Sequence, residues 1–355
     1  MLIDDWKRNI ILINTVFSFV SNTILLYFIV KYSRRHIGGY RYLLATFAIF
    51  NIVFSTVQAA VIPVFHIYHQ GWVVFPAGQL FLRDQNFGYF GLVLYCQMYC
   101  LCLVLLNYHF VYRYILICHD EYMYLLRNRY SALVLLGIWL MNGVVWGIVC
   151  RFTMYHWDET KNYMRASLLK SYNIDADKIA MLGPIYFHQN ADGISSANWI
   201  SCLGSIYCVT LMVFCFGTIV FCSLRINSVL LKSRMSDRAR RLQKDLFKAL
   251  VIQFLVPAFS EFLPGTVMFT SPLFGISLEK VASLAAVLAS FNSVLEPLFL
   301  LYFVKDYRYA FMKMTGQRDN SGTYFASETH ERVDRSLSNV LKKEQRQVTS
   351  SSTSK

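Results

Sequence analysis

Long unbroken runs of apolar side chains recur seven times along this chain, and polar or basic residues gather between them. The runs fall at about 9–30, 43–66, 88–112, 130–150, 199–224, 246–270 and 281–304. Each reaches the roughly 20 residues that a helix needs to cross a bilayer. The first, Asn9 to Val30, and the fifth, Trp199 to Leu224, contain no charged side chain. Hydrocarbon offers the backbone no water to bond with, so each run is predicted to be a helix that closes its own hydrogen bonds. The pattern therefore predicts an all-α membrane protein, a seven-transmembrane helix bundle occupying residues 1–315.

Composition and charge refine that picture. The chain is 55% hydrophobic and 15% charged, against about 25% charged in soluble domains, and the longest segment between runs, 153–198, is too short for a separate catalytic domain. A net charge of +13 would suit a nucleic-acid partner if it formed a patch. It is instead sorted by side. With the N-terminus extracellular, 25 of the 34 Lys and Arg fall in the cytoplasmic loops, helix ends and tail, and nine on the other side. That is the positive-inside rule. It predicts an extracellular N-terminus, a cytoplasmic C-terminus and no nucleic-acid partner. The first run is expected to insert as an uncleaved anchor, because Asp4 and Asp5 make a poor signal-peptide start. At 305–315, Tyr309, Phe311 and Met312 lie among three cations and predict a short amphipathic helix on the membrane surface, with lipid as its partner. Residues 316–355 hold twelve Ser or Thr and read as a disordered cytoplasmic tail.

Candidate chemistry is sparse. Eight of the nine cysteines lie in the runs and none is spaced as a metal site, so neither metal nor cofactor is expected. Cys150 and Cys202 approach the extracellular face, and the sequence leaves their pairing open. There is no H-E-x-x-H motif and no intramembrane Asp pair. Gly193-Ile194-Ser195-Ser196 lies in a polar loop, without the strand-turn-helix setting of a nucleophile elbow. No enzyme is expected. A charge within a span costs roughly 2.5–3.5 kcal/mol on insertion scales, so each is a functional candidate. Glu296 directly precedes Pro297 and is read as a polar hinge or ion-linked switch, or as a structural acid bonded to Ser290, Asn292 or a neighbouring helix. Glu261 lies between Pro257 and Pro264. Prolines free carbonyls and kink helices, so Pro257 and Pro297 are candidate hinges. Tyr95 and Tyr99 are four residues apart and share a helix face. With Glu261 and Asn292 they would form an amphipathic ligand pocket, the alternative being interfacial anchoring of the tyrosines. Arg113 closes the third run and is either a coupling residue or a topogenic anchor, with Asp245 as its nearest candidate counter-charge.

Five motifs occur in order: IGGYRYLL at 37–44, HFVYRY at 109–114, LFKALVIQFLVP at 246–257, PLFGI at 272–276 and FVKDYR at 303–308. Together they resemble the nematode serpentine chemoreceptors of the Str type. The resemblance implies a G-protein-coupled chemoreceptor that binds a small odorant or pheromone-like molecule and activates a heterotrimeric G protein. It also implies a plasma membrane address, in a sensory-neuron cilium, and the Ser/Thr tail would suit kinases and an arrestin-like partner. Tyr112-Arg113-Tyr114 is similar to the acid-Arg-Tyr triplet of rhodopsin-like receptors, but Tyr112 replaces the acid. Two other classes compete. A seven-span ligand-gated channel requires the opposite topology, and a transporter would usually carry internal repeats, which the two halves lack.

Overall fold

The computed structural model describes residues 3–32, 39–155, 157–189, 195–232 and 237–314. Among them, seven helices are long and apolar enough to cross a membrane: Asp5–Tyr32, Tyr40–Val61, Gln85–Cys118, Arg129–Thr153, Trp199–Lys232, Gln243–Phe274 and Glu279–Phe303. All seven predicted spans are present, most of them longer than the apolar run alone. Polar side chains set several helix starts by accepting from otherwise unpaired N–H groups: Asp84 from Phe87 (2.9 Å), Asn128 from Tyr130 (3.1 Å) and Asn198 from Ser201 (3.2 Å).

The first and seventh spans are joined along their length by polar groups in an otherwise apolar seam. Lys7 donates to Ser283 (2.8 Å), Asn14 to Ser290 (2.8 Å) and Asn22 to the Ser293 carbonyl (2.9 Å). The first two pairs advance by seven residues on both helices, two turns each, as parallel helices in register require. Gln58 of the second span adds a bond to the Ala286 carbonyl (2.8 Å). Apolar side chains such as Val16, Phe17 and Val30 face outward, which in lipid costs nothing.

The second span departs from expectation. It was predicted to continue to residue 66, but the helix ends at Val61. Ile62 turns left-handed (φ 47°) and Pro63 follows, and proline cannot extend a helix. The chain then forms a hairpin, β1 (Pro63–Tyr68) and β2 (Gly71–Pro76), paired from Pro63↔Pro76 to Tyr68↔Gly71. Its end returns to the helix terminus, where Ala77 and Gly78 donate to the Val61 carbonyl, at 3.2 and 2.9 Å. Only glycine fits at 78, because a Cβ there would overlap the Ala60 carbonyl oxygen.

The hairpin is buried because the 153–198 segment folds over it. That segment carries the helix Trp157–Tyr172, a stretch that bonds to β2 through Val74 and Leu182 (2.8 and 3.0 Å), and a small hairpin of β3 (Phe187–Gln189) with β4 (Ser195–Ala197). Ser195 and Ser196 lie in β4, whereas Gly193 and Ile194 fall outside the described residues. Met164, Leu168, Ala176, Ile185 and Tyr186 of this lid are buried. Its ties are His66 to Ser167 (2.7 Å), Ser171 to Glu279 (3.1 Å) and the Tyr186 hydroxyl to the Phe269 carbonyl (3.1 Å). No disulfide contributes: all nine cysteines, Cys150 and Cys202 included, are free.

The chain divides into two compact units, Met1–Tyr307 and Arg308–Lys355. The amphipathic segment is helical over Lys305–Met314, and the expected tail, 316–355, lies outside the described residues.

The lid should loosen in acid. His66 is fully buried, and desolvation pushes its pKa down from the usual 6.5 to about 4. Between those values the opened lid binds a proton that the closed lid excludes, so stability present above pH 6.5 is lost as pH falls towards 4, by up to about 1.4 kcal/mol per pH unit. Hydrogen exchange over residues 163–176, corrected for intrinsic pH dependence, should show protection falling from pH 7 to pH 5. His66→Gln should flatten that dependence; equal protection at both pH values in the parent protein would contradict it.

Candidate functional site

Beneath the lid the third, fourth, sixth and seventh spans enclose a cavity of about 50 Å³ lined by Tyr95, Tyr99, Trp146, Glu261, Met268 and Phe269, with Phe65 and Trp72 of the hairpin closing it. Glu261 reaches the cavity through an irregularity in its helix. Pro264 has no N–H to return to the preceding turn, and residues Ala258–Phe262 widen into a π-turn in which the Leu263 N–H bonds to the Ala258 carbonyl. Such turns recur at functional sites. Glu261 is 4% exposed; its Oε2 accepts from Asn292 Nδ2 at 3.1 Å. Its Oε1 and the Tyr99 hydroxyl are buried with no hydrogen-bond partner among the described residues. Gly265 makes room for that hydroxyl, since a Cβ there would stand 2.7 Å from it. Tyr99 is further held edge-on to Phe262, with ring centroids 5.2 Å apart.

The expected grouping of Tyr95, Tyr99 and Glu261 is thus present, while Asn292 stands behind Glu261 rather than in the cavity wall. Tyr89, by contrast, packs against Tyr155 (4.3 Å) under Arg151, away from the cavity lining. Sequence reasoning misses Phe65, which reads as part of the second apolar run, and Trp72, which lies in the loop beyond it.

One turn further along the seventh span, Glu296 occupies a junction of three helices. Its Oε2 accepts from Asn51 Nδ2 of the second span (2.9 Å) and its Oε1 from Gln253 Nε2 of the sixth (2.8 Å). All three residues are about 1% exposed. The partners are therefore neighbouring helices, not Ser290, which receives Asn14, nor Asn292, which is bonded to Glu261. Asn292 and Glu296 lie four residues apart on one face. The sixth and seventh spans are consequently joined twice, Glu261 to Asn292 on the cavity side of Pro257 and Gln253 to Glu296 on the other.

At the end of the bundle remote from the lid, Arg113 is 2% exposed. It donates to Gln243 Oε1 (3.1 Å), and its guanidinium lies 5.0 Å from the Tyr40 ring centroid. Tyr40 stacks on Tyr112 (5.5 Å) and its hydroxyl bonds His109 Nδ1 (3.1 Å). The expected counter-charge is corrected: among the described residues the side chain that bonds to Arg113 is Gln243, and no ion pair joins Arg113 to Asp245. Gln243 and Asp245 are two residues apart, roughly 200° around a helix, so one side chain faces Arg113 and the other cannot.

The sequence profile of the serpentine type seven-transmembrane GPCR chemoreceptor Str matches residues 7–312. The chain belongs to the Str family of chemoreceptors. It is 26% identical over 316 residues to serpentine receptor class r-10 of Caenorhabditis elegans (87% of this chain, 91% of the relative). It is 27% identical over 282 residues to serpentine receptor class J-38 (79% and 84%) and 23% identical over 321 residues to G-protein coupled receptor str-33 (87% and 91%), both from the same organism. The protein is thus a multi-pass chemosensory receptor of the GPCR class, and family membership favours this reading over the channel and the transporter.

In this Str receptor the Glu296 junction should be energetically coupled. Asn51→Leu leaves a buried carboxylate oxygen without its donor, a loss of about 1–3 kcal/mol, read as a lower melting temperature of the purified receptor. Adding Glu296→Leu should cost less than the two single changes summed. Strict additivity would show that Asn51 and Glu296 do not interact.

Proposed function

We propose that the receptor sits in the plasma membrane of a chemosensory cell with its lid outside, binds a small ligand in the Tyr99–Glu261 cavity, and passes the change to a heterotrimeric G protein at the Arg113 end. The split of 25 basic residues against nine supports this orientation. By resemblance to its family, the address is a sensory cilium.

The observation that carries the mechanism is the pair of hydrogen bonds between the sixth and seventh spans, one on each side of Pro257. A cavity of about 50 Å³ holds one or two waters, so an odorant-sized molecule has to push its walls apart. The first, second and seventh spans are tied together by the Lys7, Asn14, Asn22 and Gln58 bonds and form the less yielding side. The sixth span has the π-turn, two prolines and the flexible Met268. A ligand with an apolar body and one polar group would fill the aromatic wall and engage Glu261 and Tyr99. It would thereby draw Glu261 from Asn292 and favour a packing in which Pro257 hinges and the Gln253–Glu296 bond opens, with Pro297 as the matching flexible point of the seventh span. The ligand only has to bind that packing better. Release of Arg113 from Gln243, nearly three turns from Gln253 along the same helix, would then free the guanidinium for the G protein, with Tyr112 beside it.

The helix Lys305–Met314 would lie on the cytoplasmic membrane surface. Phosphate groups on the Ser/Thr-rich tail, each about −1.5 to −2 in charge, would recruit an arrestin-like protein.

Signalling assays on surface-quantified variants separate these roles. Glu261→Leu should abolish the response to a ligand identified by screening, whereas Glu261→Gln, which keeps size and hydrogen bonding, should retain it. Arg113→Ala should bind that ligand with unchanged affinity yet fail to activate the G protein. Unchanged potency in both Glu261 variants would remove Glu261 from the ligand site, and normal signalling by Arg113→Ala would reduce Arg113 to a topogenic anchor.

A further inference from the structure

A second opening lies at the lid end, apart from the aromatic cavity. It is a cleft of about 250 Å³ between the start of the first helix, the end of the Trp157–Tyr172 helix and the entry to the seventh, with Asp4, Lys7, Lys170, Tyr172 and Lys280 in its wall. It shares no residue with the Tyr99–Glu261 cavity.

Its charge is unbalanced. Lys7 is 6% exposed; its ammonium donates to Ser283 Oγ (2.8 Å) and pairs with Asp4 Oδ2 (2.9 Å), which leaves one of its three N–H donors. Lys170 and Lys280 are exposed on the remaining walls, and Lys280 Nζ stands 5.7 Å from the Tyr172 ring centroid. Asp4 is the one acid in the wall. The Lys7 hydrogen bond, reinforced by the Lys7 and Lys280 charges, holds its carboxyl below the usual carboxylate range, so it is ionised at neutral pH and the wall carries two positive charges in excess. Glu279, which adjoins the site, accepts from Ser171 (3.1 Å). The Tyr172 hydroxyl is buried with no hydrogen-bond partner among the described residues. A cleft with three ammonium groups and an unpartnered hydroxyl donor suits a carboxylate, and a neutral molecule of the same shape would forgo the charge-assisted bonds that make such contacts strong.

We propose that this cleft is a second, extracellular binding site for small carboxylate anions, held by Lys7, Lys170 and Lys280 with a hydrogen bond from Tyr172. Succinate is a suitable probe, since its two charges match the excess. An occupant would bridge the first helix, the lid helix and the start of the seventh span, where Lys7 already meets Ser283. Binding should therefore stabilise the closed lid, and it does so whether or not the aromatic cavity is the odorant site.

The test is calorimetry and thermal melting of the full chain in neutral-lipid nanodiscs, at constant ionic strength, with succinate, butyrate and succinamide. Saturable binding and a raised melting temperature are expected for the carboxylates and not for succinamide. The doubly substituted Lys170→Gln/Lys280→Gln receptor, altered only at exposed positions and checked for an unchanged melting temperature without ligand, should bind succinate at least tenfold more weakly. Glu261→Leu should bind it like the parent. Equal effects of succinamide, unsaturable effects of both carboxylates, or undiminished affinity in the double variant would each overturn the proposal.

Discussion

Two buried carboxylates bound across the same pair of helices set the terms for the rest of this receptor. A carboxylate in the hydrocarbon region costs several kilocalories per mole unless donors meet it, and Glu261 and Glu296 find theirs on neighbouring spans. Glu261 takes its donor, Asn292, from the seventh span. Glu296, on that span, takes Gln253 from the sixth and Asn51 from the second. Between the two contacts lie Pro257 and the start of the π-turn that carries Glu261, with Pro264 just beyond, and this is the part of the sixth span least able to hold a regular helix. A helix pinned on both sides of a weak point has few ways to yield. In the mechanism proposed above it would pivot there, stretching one bond when the other is disturbed, and so would couple a cavity near the lid to a junction deeper in the bundle.

The lid follows from a different constraint. With no disulfide to tether it, the long loop is held by strand pairing to the β1–β2 hairpin, by the buried side chains of its helix, and by a few side-chain hydrogen bonds, each worth about 1 kcal/mol. Such a lid opens as a unit more readily than one fastened by a covalent bond, which suits an entrance above a cavity too small for its guest. The hairpin plays two parts, completing the ragged end of the second span and placing Phe65 and Trp72 as the ceiling of the cavity.

Much of this was legible in the chain. The spans were, because apolar length is a strong signal, and the intramembrane acids were, because charge in such a run demands a reason. Tyr95, Tyr99 and Glu261 could be grouped from depth and helix face alone. Their partners could not. Asn51 and Gln253 are amides set among apolar neighbours, and nothing local says which distant residue each will meet. Asp245 reads as the counter-charge for Arg113 because it is the acid at the foot of the sixth span, yet it is Gln243 that bonds the arginine. The hairpin was hidden because Ile62 to His66 reads as more of the same apolar span. Only Pro63 hinted otherwise, and proline is tolerated within membrane helices often enough that it did not decide the matter.

The central claim is that the Gln253–Glu296 bond restrains the sixth span about Pro257. Double electron–electron resonance between spin labels on unnatural side chains at Lys248 and Tyr42, which leaves the native thiols untouched, measures that restraint directly. In the parent receptor without ligand the distance distribution should be narrow. Gln253→Leu alone should add a population several ångströms longer, as the free end of the helix swings about Pro257. An unchanged distribution in Gln253→Leu would contradict the account.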